Sequence, residues 1–406
     1  MVKVLRSLFR GPLEPHIAGF AEELVRRGYT QSSAGQHVCF LAHLDRWMSA
    51  EGIGLGQLSA SVIDQYLAQR RAAGYVEYRS LIALRPLLDF LAPLGVLPVE
   101  EPDPPEPVEE LLGRYHDYLV GERGLTARTA RGYVDFVRPF VATRAHGDVL
   151  DLAGITAAEV TGFVLSACPG RSVGSAKLVV CALRSLLRWL HLSGQVPMSL
   201  ASAVPSVAGW RLSSLPKGLE PGQLRRLLAG CDRRTGTGRR DYAILLLLSR
   251  LGLRAGEVAR LGLDDIDWRH GELVVCGKAA RIERLPLPAD VGAAIAGYLR
   301  HGRPATAAGR NVFVRVHAPH RALTTGGVSN VVCDAAQRAR LPKMHAHRLR
   351  HTAATAMLRA GSTLPEVGQV LRHRSPLTTA IYAKVDHKAL AVLARPWPVE
   401  SGGGVS

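Results

Sequence analysis

The chain has no apolar run approaching the ~18 residues that would span a membrane. Its opening, MVKVLRSLFRGPLEP, lacks a long apolar core and a small-residue cleavage site, so no signal peptide is expected. The six cysteines (Cys39, Cys168, Cys181, Cys231, Cys276 and Cys333) include no C-x-x-C pair. Without a secretion signal they read as reduced, mostly buried thiols of a cytoplasmic protein, which excludes a disulfide scaffold. Lysine is scarce: Lys3, Lys177, Lys217, Lys278, Lys343, Lys384 and Lys388 are seven of the 51 basic residues, so each merits attention. Acidic residues number 34 against those 51, leaving a net charge of +17 and a pI near 10.1. Such an excess fits a polyanionic partner, most often nucleic acid. The hydrophobic content of 47% excludes a largely disordered chain, and 406 residues predict two or three domains.

A repeat organises the first half. LVRRGYTQSSAGQHVCFLAHLDRW begins at Leu24 and LVGERGLTARTARGYVDFVRPF at Leu119, each with a glycine step before an amphipathic helix. Gly28 corresponds to Gly124, and LRPLLDFLAPLGVLP, ending at Pro98, corresponds to LRSLLRWLHLSGQVP, ending at Pro197. QLSASVIDQYL and GITAAEVTGFV lie between, each with Ser or Thr ahead of an apolar-periodic run, the mark of an N-cap. Two copies of one helical unit are the simplest reading. The proline-rich EEPDPPEPVEE separates them, and VPSVAGWRLSSLPKG marks a second break. Beyond it, DYAILLLLSRLGLRAGEVARL predicts a buried helix, a glycine break and another helix. GELVVCGKAARIERLPLP predicts a small hairpin, with helices from Ala289 and again from about His347.

The stretch HAHRLRHT, residues 345–352, alternates three histidines with two arginines. On a helix over residues 346–360, stopped by Gly361, His347, Arg350 and His351 share one face. The H-x-x-x-H spacing suits zinc, but Arg348 stands where the catalytic zinc signature has Glu, and Arg350 would aim a permanent cation at the metal. A solvated basic face is another reading. Phosphate fits better, because a guanidinium presents a planar fork of donors to two phosphoryl oxygens and an imidazole adds a donor.

The remaining elements follow in order. GLRAGEVARL supplies Arg254 and Glu257, VVCGKAARIERLPLP supplies Lys278, HAHRLRHT supplies His347 and Arg350, and VLRHRSPLTTAIYAKV supplies His373 and Tyr382. This series resembles the tyrosine recombinase (phage integrase) family, whose pattern is Arg, Lys on a hairpin, His-x-x-Arg, His or Trp, then Tyr. The resemblance covers about residues 215–395 and, more loosely, 109–205. It implies a mainly α fold with a small β-sheet: two helical SAM-like domains and an α+β catalytic domain. The corresponding domains are 1–100, an extra helical copy for further DNA or protein contacts; 108–205, the core-binding DNA-binding domain; 216–395, catalytic; and a tail at 396–406.

The resemblance also implies the chemistry of a site-specific recombinase for integration, excision or transposition of a mobile element. The Tyr382 oxygen attacks a DNA phosphodiester, leaving a covalent 3′-phosphotyrosine and a free 5′ hydroxyl. Arg254 and Arg350 neutralise the transition-state oxygens, Lys278 protonates the leaving oxygen, and His347 and His373 assist at the tyrosine and phosphate. Glu257 and His351 are supporting residues, and no cofactor or metal is implied. The partners implied are double-stranded DNA and further copies of the chain, four in synapsis, with partner recombinases or DNA-bending proteins as possible accessories and residues 383–397 as the exchanged segment. Arg128 and Arg131, at a helix start, are candidate DNA contacts. So is Arg372, which occupies a position where the family commonly has glycine. Gly277-Lys278-Ala279, with Arg281 nearby, departs from the family's frequent Gly-Lys-Gly. Alternatives are a type IB topoisomerase-like relaxing activity, a catalytically silent DNA-binding regulator with the same fold, and a metal-dependent nuclease. The expected location is the bacterial cytoplasm, on DNA.

Overall fold

The computed structural model describes residues 8–99, 106–147, 149–209, 218–277, 282–373 and 375–385. Backbone contacts divide the chain into two compact units: residues 1–98 with 214–406, and residues 99–213.

Four helices build the first stretch: α1 Ile17–Arg26, α2 Gln31–Glu51, α3 Ala60–Ala72 and α4 Leu81–Leu91. The apolar face of α1 carries Ile17, Phe20, Ala21 and Leu24, the spacing of one buried helical stripe. Asp45 of α2 is fully buried and accepts the backbone N–H groups of Arg10, Gly11 and Leu13 at 3.1, 2.9 and 2.8 Å. A buried carboxylate so satisfied fixes the strand of chain entering α1. Gly28, at φ +88°, ends α1 where a Cβ would stand 2.5 Å from Thr306 Oγ1 and 2.6 Å from His320 Cδ2. The left-handed turn and the close approach both require glycine.

The second unit repeats that order in α5 Pro107–Gly121, α6 Ala127–Ala142, α7 Ala157–Ala167 and α8 Val173–Leu192. A short hairpin, β1 Ala145–His146 and β2 Val149–Leu150, follows α6. The local physics matches between the two stretches. Thr30 caps α2 by accepting Ser33 N–H at 3.2 Å, and Thr126 caps α6 by accepting Thr129 N–H at 3.3 Å. Gly28 and Gly124 precede these caps with positive φ. Ser59 and Thr156 cap α3 and α7 in the same way.

After residue 218 come α9 Pro221–Ala229, α10 Gly236–Arg250 and α11 Ala255–Arg260. Helix α10 is the core element: Ala243 through Leu248 are all at most 2% exposed. A helix apolar all round must be surrounded, and α10 packs against α12 Ala289–His301, α13 Thr325–Arg338 and α14 Ala346–Arg359. Strands β3 Ile266–Asp267, β4 Glu272–Cys276 and β5 Ile282–Pro286 form an antiparallel sheet in that order. Leu273 and Val275 point into the core, and the β4–β5 register closes with Cys276 opposite Ile282. The fold is therefore mainly α with a small sheet, as the sequence reading expects.

Helix α13 is absent from the sequence reading. Most of the cysteines also differ from expectation: Cys39, Cys181 and Cys276 are exposed and only Cys231 is buried. Cys39 and Cys181 sit on the solvent faces of their helices, where periodicity outweighs the residue's apolar character. Among the described residues no helix is long and apolar enough to cross a membrane.

Candidate active site

The chain leaves α10 through Gly252, at φ +58°, and enters α11 at Arg254. This turn aims the Gly252 carbonyl at Arg350, whose Nη1 donates to it; Arg350 Nη2 donates to the Leu371 carbonyl. Arg350 projects from α14 and is 1% exposed. Burial, then the Arg254 and Arg372 cations, lower its pKa to about 10, so it stays charged at neutral pH.

Arg254 lies nearer the surface, with its side chain 39% exposed. Its backbone N–H and Nη1 both donate to Glu257, at 2.8 and 2.6 Å, and Nη2 donates to the Arg372 carbonyl at 3.1 Å. Glu257 is 1% exposed. Burial pushes its carboxyl up, but the Arg254 N–H and the Arg372 and Arg254 guanidinium groups prevail and hold it below the usual range.

Arg372 has positive φ, +57°, and its side chain is 5% exposed. Its guanidinium turns inward: Nη2 donates to Glu257 at 2.9 Å, and Nε lies 3.7 Å from Glu283 of β5. That pairing places it behind Arg254, bracing the carboxylate that Arg254 also uses. Next to it opens a cleft of about 900 Å³ lined by β5, by residues of α15 Leu364–Val370, and by His373 and Thr379.

Three imidazoles complete the cluster. His347 and His351, one turn apart on α14, meet edge to face with ring centroids 4.4 Å apart. Desolvation first, then Arg350 and Arg254, lower the His347 pKa. Burial, His347 and Arg350 lower His351 to about 4. His373 is lowered to about 4 by burial and then by Arg350, Arg254, His347 and Arg372, and its Nδ1 is 2.7 Å from Thr379 Oγ1. All three are therefore neutral near pH 7.

Tyr382 lies in the 3₁₀ turn Ala380–Val385, after α16 Pro376–Thr379. It is 2% exposed and packs with Ala354, Leu358, Val367 and Leu371. Its hydroxyl lies 2.8 Å from His351 Nδ1, and its ring is parallel to His373 at 6.3 Å between centroids. Burial raises the phenol pKa, against a partial opposing pull from Arg350.

Arg254, Glu257, His347, Arg350, His351, Arg372, His373 and Tyr382 thus gather in one place. Lys278 and Arg281 lie outside the described residues, as does most of the 383–397 segment. Gly277, the residue before Lys278, directly follows β4. Arg128 and Arg131 are exposed at the start of α6, in the other unit. Sequence reasoning missed three contributors: the Gly252 and Leu371 carbonyls that hold Arg350, and Thr379 beside His373. Only the glycine carried a signal, as a break between two apolar helices. Among the described residues no group of three or more His, Cys, Asp or Glu is arranged to hold a metal. Fixed cations around a phenol are instead suited to gripping an anionic ester beside a nucleophile.

Residues 217–389 match the model of the phage integrase family. A protein of Sinorhizobium fredii strain NGR234 named as an integrase/recombinase, y4rA, is 42% identical over 96% of both chains. Tyrosine recombinase XerD of Listeria monocytogenes serotype 4b is 29% identical, covering 68% of this chain and 95% of its own. Among solved structures, the XerH site-specific recombinase bound to palindromic difH substrate, a post-cleavage complex, shares the fold with a TM-score of 0.57 at 18% identity, covering 73% of this chain and 98% of its own. Similarity to y4rA maintained along nearly the whole chain, together with the matched catalytic segment, makes this protein a member of the phage integrase family, the tyrosine recombinases, enzymes that cleave and rejoin DNA.

Proposed function

We propose that the protein is a site-specific recombinase that exchanges DNA strands of a mobile element through a covalent 3′-phosphotyrosyl intermediate on Tyr382. The observation that carries this reading is the position of the Tyr382 phenol. It stands within the Arg350–His347–His351 cluster of its own chain, 2.8 Å from His351. Double-stranded DNA is the substrate, consistent with the charge of +17.

In this reading the scissile phosphate meets Arg254 first, because Arg254 is the more exposed of the two arginines. Arg350 beneath adds a fixed positive charge where charge develops on the non-bridging oxygens. The phenol oxygen bonds to phosphorus as His347 helps take up its proton, the bond to the 5′ oxygen breaks, and Lys278 protonates that oxygen. His347 also binds a phosphate oxygen, and His373 donates to the phosphate. The bond energy stays in the protein–DNA ester, so rejoining is the same step reversed. Residues 1–100, 108–205 and 216–395 serve as an added helical domain, a DNA-gripping domain and the catalytic domain. Separate hydrophobic cores within these ranges support that division. Arg128 and Arg131 contact the backbone of the site, and four copies of the chain form the synapse. Integration is the form of recombination supported by the name of y4rA, given as integrase/recombinase.

Incubation with nicked suicide DNA from the flanks of the encoding element tests the reading. A protein–DNA adduct is expected with the wild-type chain and none with Tyr382→Phe, with or without EDTA. Wild-type protein that binds this DNA without forming an adduct would favour the silent regulator. Relaxation of any supercoiled plasmid by monomers would favour the topoisomerase-like alternative.

A further inference from the structure

The contact between His351 and Tyr382 has no place in the six-residue series, where the first histidine of His-x-x-Arg, His347, carries the role. We propose that His351 is the positioning residue for the nucleophile, its Nδ1 accepting the hydrogen bond of the Tyr382 hydroxyl and fixing the phenol oxygen on the Arg350 side of the site. This inference rests on the recombinase reading and deepens it.

Three observations carry it. The first is the geometry: 2.8 Å from Nδ1 to the phenol oxygen is a full hydrogen bond, and the two rings meet edge to face at 5.5 Å. The second is confinement. Tyr382 is 2% exposed, and apolar side chains of α14, α15 and the Leu371 turn surround its ring. The ring is thereby placed but its hydroxyl is not, and a buried hydroxyl costs free energy unless one partner satisfies it. The third is the protonation state. Burial, His347 and Arg350 keep His351 neutral, so the Nδ1 lone pair is free to accept and the ring proton resides on Nε2.

The same environment limits what His351 does. Phenol pKa raised and imidazole pKa lowered both oppose proton transfer between them in the resting chain. His351 therefore acts by direction. It holds the O–H along one line, leaving the other lone pair of the oxygen free to meet phosphorus. The His347 ring meets that of His351 edge to face, 4.4 Å between centroids, and braces its orientation.

The test is single-turnover cleavage of the suicide substrate at saturating protein, with DNA affinity and melting temperature measured in parallel. His351→Leu fills the apolar volume but cannot accept. It is expected to bind DNA normally and to cleave about 100-fold more slowly, the penalty of a misplaced reacting atom. His351→Asn carries an oxygen near the Nδ1 position and is expected to recover most of that loss, which a purely space-filling role would not allow. A substrate with sulfur in place of the bridging 5′ oxygen, whose leaving group departs without a proton, separates the two ends of the reaction. The sulfur relieves Lys278→Ala but leaves the His351→Leu defect in place.

Cleavage by His351→Leu at the wild-type rate overturns the inference, as does an Asn variant no better than Leu, or relief of His351→Leu by sulfur. A wild-type chain that forms no adduct overturns the recombinase reading itself, so the two failures are distinguishable.

Discussion

Glu257 concentrates the electrostatics of the site in one buried carboxylate. It accepts from Arg254 twice and from Arg372 once, at 1% exposure. Removing its charge leaves the Arg372 guanidinium, itself 5% exposed, with Glu283 at 3.7 Å as its remaining carboxylate contact among the described residues. Breaking one side of a buried pair costs about 3 kcal/mol or more, so Glu257→Gln is expected to lose about that much stability at pH 7. The pH dependence follows from the lowered pKa. The carboxylate's contribution is complete above its unfolded value of 4.5 and is lost as pH falls through the lower folded value. Urea melts of both proteins from pH 7 to pH 3 should therefore show a gap that is constant above pH ~4.5 and narrows below it. A gap independent of pH would mean that the charge is not what matters. The sequence discloses only half of this arrangement. Arg254 and Glu257 at i, i+3 are legible as a local helix pair, but Arg372 joins from 115 residues away. No local pattern encodes that arrival, and Arg372 reads instead as a spare cation for DNA.

The turn between α10 and α11 shows how an element, rather than a side chain, sets the site. Gly252 adopts φ +58°, and its carbonyl receives Arg350. A Cβ there would lie 2.4 Å from Leu371 Cδ2 and 3.9 Å from Arg350 Cγ. Gly252→Ala combines left-handed strain of about 1 kcal/mol with an overpacked contact of about 1–3 kcal/mol. The variant is expected to melt at lower denaturant with an unchanged slope, and to cleave suicide DNA more slowly because Leu371 and Arg350 shift together. Wild-type stability with slow cleavage would separate the turn from the fold, and wild-type values of both would show that the turn tolerates a side chain. Helix ends and strand pairing are legible in sequence: the glycine break, the N-capped repeats and the alternating hairpin all follow local rules. Helix α13 was equally available in principle, since Val328, Val331, Val332, Ala335 and Ala336 recur at helical spacing after the Thr324 cap. Its two glycines and β-branched residues mask that stripe, and burial against α10 and α11 overrides their weak helix propensity.

At the scale of the molecule, the sequence yields the order of the chemical groups but not the partnership of the domains. The two helical copies read as a tandem pair, yet residues 1–98 join the unit that contains residues 214–406, where Arg321 meets Asp89 at 3.4 Å and Gly28 faces Thr306 and His320. Contacts of such long sequence separation depend on surface complementarity that no periodicity records. The same limit applies to the nucleophile. Its identity is legible from the motif, but its concealment is not: the free chain holds Tyr382 at 2% exposure with a raised pKa, whereas Tyr75 is 41% exposed. A phenol reacts with electrophilic nitrating reagents as the accessible phenolate, so both burial and the raised pKa slow it. Brief nitration of the free protein, read by peptide mass spectrometry, should modify Tyr75 well before Tyr382, and mild urea below the unfolding transition should not reverse that order. Equal modification of the two in the native chain would mean that the nucleophile is open to solvent at rest. Protection instead makes the DNA complex responsible for exposing it, which restricts strand cleavage to chains already seated on a site.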